Sequence, residues 1–208
     1  MSVAAAPSRA PLAAYLWGFI GVVLFGLTLP ATRLVVTHLD VWWVSFARAS
    51  LAGCAAGLIL LCTRGPRPNR AEFGLIFLTG AGVVVGFPVF TNLAMTATSA
   101  SHGAVVVGLL PLGSAVTGAL IGRERHTRWF WVLSVLGSAT VVGFALLEGA
   151  GQLAWADLAL LGAVISAAIG YALGARLSRR LAGWRVICWV LVVYLPLIRR
   201  RIAQMEQI

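Results

Sequence analysis

Lysine is absent from this 208-residue chain: all 16 basic residues are arginines, set against only six acids. Charged residues make up 11% of the sequence, where soluble domains carry about a quarter, so a soluble globular domain is excluded. The net charge of +10 would suit nucleic acid, but no basic face or nucleic-acid-binding motif accompanies it. The arginines lie between apolar runs, where the orientation signals of a membrane protein are found. Cysteine is scarce as well. Cys54, Cys62 and Cys188 stand far apart with no CxxC or Cys/His cluster, which leaves them as small buried hydrophobes and gives no metal site or disulfide framework. Walker A, HExxH, Asp-rich and GxSxG patterns are all missing, and no motif fixes the geometry of Gly113-Ser114 with His102. An enzyme, a cofactor and ATP-driven transport are therefore not expected, and any energy for transport has to come from a solute or ion gradient.

What the chain does have is apolar length: 60% of its residues are hydrophobic. A hydrocarbon core of about 30 Å needs roughly 20 helical residues. Windows of that size fall at Ala13 to Pro30, Val41 to Cys62, Phe73 to Ala94, Gly103 to Ile121, Trp129 to Leu147 and Leu158 to Leu177. A seventh run, Val186 to Ile198, is short for a crossing and starts directly after Arg185. Trp17, Trp42, Trp43, Trp129, Trp131, Trp155 and Trp184 sit near span ends, as interface anchors do. Arginines crowd the second loop (Arg64, Arg67, Arg70), the fourth (Arg123, Arg125, Arg128) and the sixth (Arg176, Arg179, Arg180, Arg185), and are missing from the third and fifth. The positive-inside rule places those basic loops and the N-terminus in the cytoplasm, and the first loop, with Arg33, His38 and Asp40, outside. A seventh crossing would then carry Arg199, Arg200 and Arg201 outside, against the rule. Two explanations stay open for that ending: a premature stop or frameshift, or a last segment that does not cross.

A glycine-spaced stretch, Leu16 to Ala31, returns loosely at Leu160 to Ala175, with Gly18/Gly162 and Gly26/Gly170 in register. About five spans separate the copies. An odd number makes the second copy enter the membrane the opposite way, the inverted-repeat logic of secondary transporters. Small residues four apart, at Gly53 and Gly57, Gly82 and Gly86, Gly118 and Gly122, and along Gly162, Ser166, Gly170 and Gly174, allow close helix approach.

Pro88 and Pro111 lie inside spans, where each removes a backbone donor. They mark either a simple kink or a cavity that re-satisfies the backbone. Arg48 is the one charge well inside a span, about 10 Å below its outer end. It lines a cavity, holds a structural pairing or snorkels to the interface. Glu124 closes the fourth span amid arginines, as a local salt bridge or as a gating contact. Thr28, Thr91, Asn92, Ser114, Thr117 and Tyr171, with Phe87 and Phe90, offer neutral polar and stacking surface, for helix packing or for a solute.

The stretches LWGFIGVVLFGLTLPATRL, VWWVSFARASLAG, GLLPLGSAVTGALIGRE and RWFWVLSVLGSATVVGFALL, followed by the restart at Leu158, resemble the drug/metabolite transporter superfamily, EamA type. The resemblance runs from about Leu12 to about Pro196. It implies an all-α, polytopic transmembrane bundle of five plus five inverted helices, of which about seven are present and about 90 residues are missing. The implied domains are a first EamA repeat at 12–148, the start of a truncated second repeat at 157–198, and a basic tail at 199–208. The implied activity is ATP-independent movement of small metabolites, often outward, across a bacterial-type inner membrane. The alternative is a non-transporting remnant or helix-pairing protein. Partners are the lipid bilayer and a small-molecule solute, with no nucleic acid. Substrate-cavity candidates are Arg48, Thr28, Phe87, Asn92, Pro111, Ser114 and Tyr171. Glu124 is the gating or structural candidate, and Gly82, Gly86, Gly118, Gly122, Gly162, Ser166 and Gly170 are the packing candidates.

Overall fold

The computed structural model describes residues 12–123, 126–148 and 155–205, and every regular element among them is helical. The chain folds into α1 (Leu12–Gly26), α2 (Thr28–Val36), α3 (Val41–Cys62), α4 (Arg70–Gly80), a π-helical turn (Ala81–Gly86) and α5 (Phe87–Met95). It continues through α6 (Ala100–Val107), α7 (Leu110–Ile121), α8 (Arg128–Glu148), α9 (Trp155–Leu177) and α10 (Gly183–Met205). Five stretches are long and apolar enough to cross a bilayer: Tyr15–Val36, Val41–Cys62, Arg70–Met95, Ala100–Ile121 and Trp155–Leu177. Arg128–Phe144 within α8 is a shorter apolar helix.

Local chemistry sets the helix starts. Asp40 caps α3, its Oδ1 accepting the amide hydrogens of Trp42 (2.9 Å) and Trp43 (3.0 Å). Asn69 and Glu72 form a reciprocal capping box at the start of α4, and Ser99 accepts the His102 amide at the start of α6. Three spans are then broken about one turn before a proline. A proline cannot donate to the carbonyl four residues back, so Pro30 frees that of Gly26, Pro88 that of Val84 and Pro111 that of Val107. α1 ends at Gly26 and α6 ends at Val107. In the third span the ladder instead shifts to π register, with the Phe87 amide donating to Gly82 O.

Contacts fix the helix directions. Phe25 stacks on Phe87, and Arg33 Nη1 donates to Met95 O, so the first and third spans are parallel. Between the third span and α9 the numbers run oppositely: Gly174 faces Thr79, Gly82 faces Gly170, Gly86 faces Ser166 and Gly162 faces Phe90. α9 therefore runs against both the third span and the first. The fourth span is parallel to α9, with His102 on Asp157, Gly113 against Val164 and Ala168, and Arg179 on Gly122 O.

The helix that carries the seventh apolar run extends beyond it at both ends. α10 covers 23 residues, about 34 Å at 1.5 Å each, and lies antiparallel to α3 over its length. Arg185 Nη2 donates to Thr63 O at 2.8 Å, Val192 packs on Gly57, Leu195 packs on Gly53, and Ala49 clusters with Ile198. The helix continues through Arg199, Arg200 and Arg201 to Met205, and so brings them to the Trp42 end of α3. Arg33 also differs from its expected place: it lies inside α2 and not in a loop, because Met95 O accepts from it.

Candidate functional site

The three proline breaks meet at one level, and a cavity of about 480 Å³ opens there. Phe25, Gly26, Thr28 and Leu29 of the first span face Phe87 of the third across it. Ala104, Val107, Gly108, Leu110, Pro111 and Ser114 of the fourth span and Tyr171 of α9 complete the wall. The Phe25 and Phe87 rings lie nearly parallel, their centroids 6.2 Å apart. Every described residue lining this space is neutral. Such a chamber desolvates a guest and offers it aromatic faces and the hydroxyl-bearing side chains of Thr28, Ser114 and Tyr171, while freed carbonyls at the helix breaks supply acceptors without charge.

Of the seven cavity candidates, Thr28, Phe87, Pro111, Ser114 and Tyr171 come together here. Arg48 lies across the first span, on a second cavity of about 450 Å³ that it shares with Leu24, Thr32 and Trp43. Its Nη1 donates to Thr32 Oγ1 at 3.2 Å. Thr28 borders both spaces. Asn92 is fully buried between α5 and α3, where its Nδ2 donates to Ser45 Oγ at 2.6 Å. Glu124 lies outside the described residues.

Five of the packing candidates form one seam between the third span and α9. A Cβ on Gly82 would sit 2.4 Å from Ser166 O, one on Gly86 1.9 Å from Ser166 Oγ, and one on Gly170 2.6 Å from Val83. Gly162 accommodates the Phe90 ring, and Ser166 Oγ donates to Gly82 O at 3.3 Å. That carbonyl belongs to the π turn, which is followed directly by Phe87 of the cavity wall. Gly118 is buried on α7, and Gly122 O accepts from Arg179 Nη2 at 3.2 Å.

Charged groups close the two ends of the bundle. At one end Arg180 pairs with Glu72 and donates to Arg67 O at 2.9 Å, and the Glu72 carboxylate holds the guanidinium above its ordinary range. Arg185, almost fully buried, reaches Thr63 O and Pro66 O. At the other end His102 Nε2 and Asp157 Oδ1 are 2.5 Å apart, joining α6 to α9. The sequence reading missed this pair because it started the sixth span at Leu158, one residue after Asp157. An acid one turn inside an apolar helix, matched by a histidine at the start of another, was the available signal. His102 is twelve residues from Ser114 along its span, roughly 18 Å, so the two form no catalytic pair. The three cysteines are free, and no group of three His, Cys, Asp or Glu gathers to hold a metal among the described residues.

The sequence profile of the EamA-like transporter family matches residues 12–146. The uncharacterized transporter YdeK of Bacillus subtilis (strain 168) is 44% identical over 180 residues, which cover 86% of this chain and 63% of that protein. The chain thus spans a little under two thirds of the curated relative it matches. No solved structure matches.

Proposed function

The chain belongs to the EamA-like transporter family, a multi-pass membrane bundle, and from that premise we propose that it forms the solute-binding wall of a secondary carrier for small metabolites. The observation that carries this reading is the neutral cavity where three proline-broken helices meet an antiparallel fourth. Discontinuous helices at mid-depth, flanked by an inverted partner, are where secondary transporters hold solutes. The lining suits a small guest with an aromatic or aliphatic body and one hydrogen-bonding group, packed against the paired Phe25 and Phe87 rings and Tyr171 and oriented by Thr28 and Ser114.

Alternating access follows from the same breaks. α1 and α2 meet at Leu27, and α6 and α7 meet at Gly108 and Leu109, and the carbonyl that each following proline leaves without a donor weakens the ladder there, so each half-span can tilt about its junction. The His102–Asp157 pair would close one end and the Arg180–Glu72 pair the other. Movement is driven by the solute gradient or a coupled ion, in the export direction. The orientation puts the loops joined by Arg180, Arg185 and Arg179 in the cytoplasm, since they share one end and carry most of the arginines. Arg48 then stabilises the first span against α3 through Thr32, on the outward side.

The test is counterflow of labelled metabolites, aromatic and aliphatic, in proteoliposomes carrying this chain or the Bacillus relative. Phe87→Ala and Tyr171→Ala should each reduce flux at least about tenfold, the loss of roughly 1.4 kcal/mol of solute contact. Leu51→Ala, on an outward-facing position 73% exposed, should leave flux unchanged. Equal flux in all three variants would remove the cavity from the pathway.

A further inference from the structure

α10 carries three consecutive arginines, Arg199 to Arg201, to the Trp42 end of α3, the end opposite the loops held by Arg180 and Arg185. Arg48 lies at the same height, because its neighbour Ala49 packs against Ile198. Arg48, Arg200 and Arg201 therefore lie toward this end of the bundle while the Arg199 guanidinium reaches inward to Cys54, and none of the four is ion-paired among the described residues. Arg48 has only the Thr32 hydroxyl, and Arg199 only Cys54 Sγ at 3.4 Å. Asp40, capping this end of α3, already accepts two amide hydrogens. Cationic groups at membrane depth pair, line a wet cavity or reach the interface, and an anion of matching shape is a favourable partner for them.

Arg200, Arg201 and Gln204 form the rim of a groove of about 940 Å³ between α3 and α10. The Trp42 and Phe46 rings, 6.2 Å apart, flank this rim at the outer end of α3, and below it the walls are apolar, Leu197 and Ile198 continuing the surface down to Tyr194. Tyr194 directs its hydroxyl away, donating to Phe77 O at 2.6 Å, so its ring closes the floor. From Gln204 to Tyr194 is ten residues of helix, about 15 Å. The groove thus has a cationic head and an apolar body, aligned with the bundle axis.

We propose that this groove binds an anionic phospholipid, with its phosphate held by Arg200 and Arg201 and one acyl chain lying along Phe46, Leu197 and Ile198 toward Tyr194. Guanidinium forks match phosphate oxygens in pairs, and Trp42 sits where an indole favours the glycerol level of a bilayer. A soluble anion would fill only the rim and leave the apolar length empty. The site also accounts for arginines at the end that the positive-inside rule leaves poor in them: the bound lipid neutralises them. This assignment is independent of the solute pathway, which uses a different, uncharged cavity.

The experiment is native mass spectrometry of the full chain released from zwitterionic detergent, titrated with phosphatidylglycerol, with phosphatidylcholine of the same chains, and with inorganic phosphate. Phosphatidylglycerol should be retained at least about tenfold more tightly than phosphatidylcholine. Arg200→Gln and Arg201→Gln should each weaken it about fivefold, and together about 25-fold, while Arg67→Gln at the opposite end changes nothing. Thermal unfolding in lipid-free detergent reports whether the double variant is folded. The wild-type comparison of the three ligands stands without it. Equal retention of the two lipids, phosphate binding as tight as the anionic lipid, or undiminished binding by the folded double variant would each overturn the site.

Discussion

Leu16–Ala31 and Leu160–Ala175 share a glycine spacing, yet their glycines do opposite things. In the first stretch Gly18, Gly21 and Gly26 have open space where a Cβ would go. In the second, Gly162, Gly170 and Gly174 all meet the third span. The burial follows: 11% of the most apolar window of the first span is buried inside the bundle, against 44% for α9. Similar patterns, inserted in opposite directions, occupy a peripheral and a central place. A small-residue stripe permits close packing but does not cause it; a partner with its own small residues at matching heights, here Gly82 and Gly86, is what converts permission into contact.

Substituting register mates breaks this comparison most sharply. Gly170→Val should destabilise by about 3 kcal/mol, because its branches meet Val83 and Thr79 O and the helices must separate. Gly26→Val should stay within about 0.5 kcal/mol in the same thermal unfolding assay in detergent. Equal effects would mean that the two copies are packed alike. A milder test is a double-mutant cycle. Gly86→Ala alone should cost about 2 kcal/mol by driving a methyl into Ser166 Oγ, and adding Ser166→Gly should recover about 1 kcal/mol of it; strict additivity would place the clash elsewhere. The smallest effects come from the hydroxyls. Thr117 donates across the interface to Ala168 O at 2.9 Å, so Thr117→Val should cost about 0.6 kcal/mol. Thr28 bonds only within its own span, to Leu24 O, so Thr28→Val should leave the unfolding temperature unchanged and show its effect in solute counterflow alone.

Much of the architecture was legible in the chain. The α3 helix begins and ends where hydropathy placed it, Val41 to Cys62, because Asp40 caps it and an apolar run ends at Thr63. Pro88 and Pro111 were readable as breaks, and both sit at the cavity level; Pro30 carried the same signal but lay at an assumed span end. Five of the seven candidates line one cavity, and the sequence singles them out because neutral polar and aromatic residues near prolines are uncommon within spans. Arg48 and Asn92 looked equally suitable, but periodicity does not tell which side of a helix faces which neighbour. The length of α10 was missed because Arg185 and Arg199–Arg201 read as boundaries, whereas arginine is a good helix former and Arg185 is buried against the carbonyls of Thr63 and Pro66.

The sequence by itself determined that the chain is a set of apolar helices, where most of them begin, and where prolines interrupt them. Those properties follow from backbone hydrogen bonds made within a segment and from the thickness of the hydrocarbon it has to cross. Only the tertiary structure decided which glycine stripe is used, which arginines find acceptors, and that the helix breaks of three spans converge on one chamber. Lipid is as apolar as a leucine side chain, so no hydrophobic pattern marks the inward face of a membrane helix; that face is defined by residues about eighty positions away, as Ser166 is from Gly82.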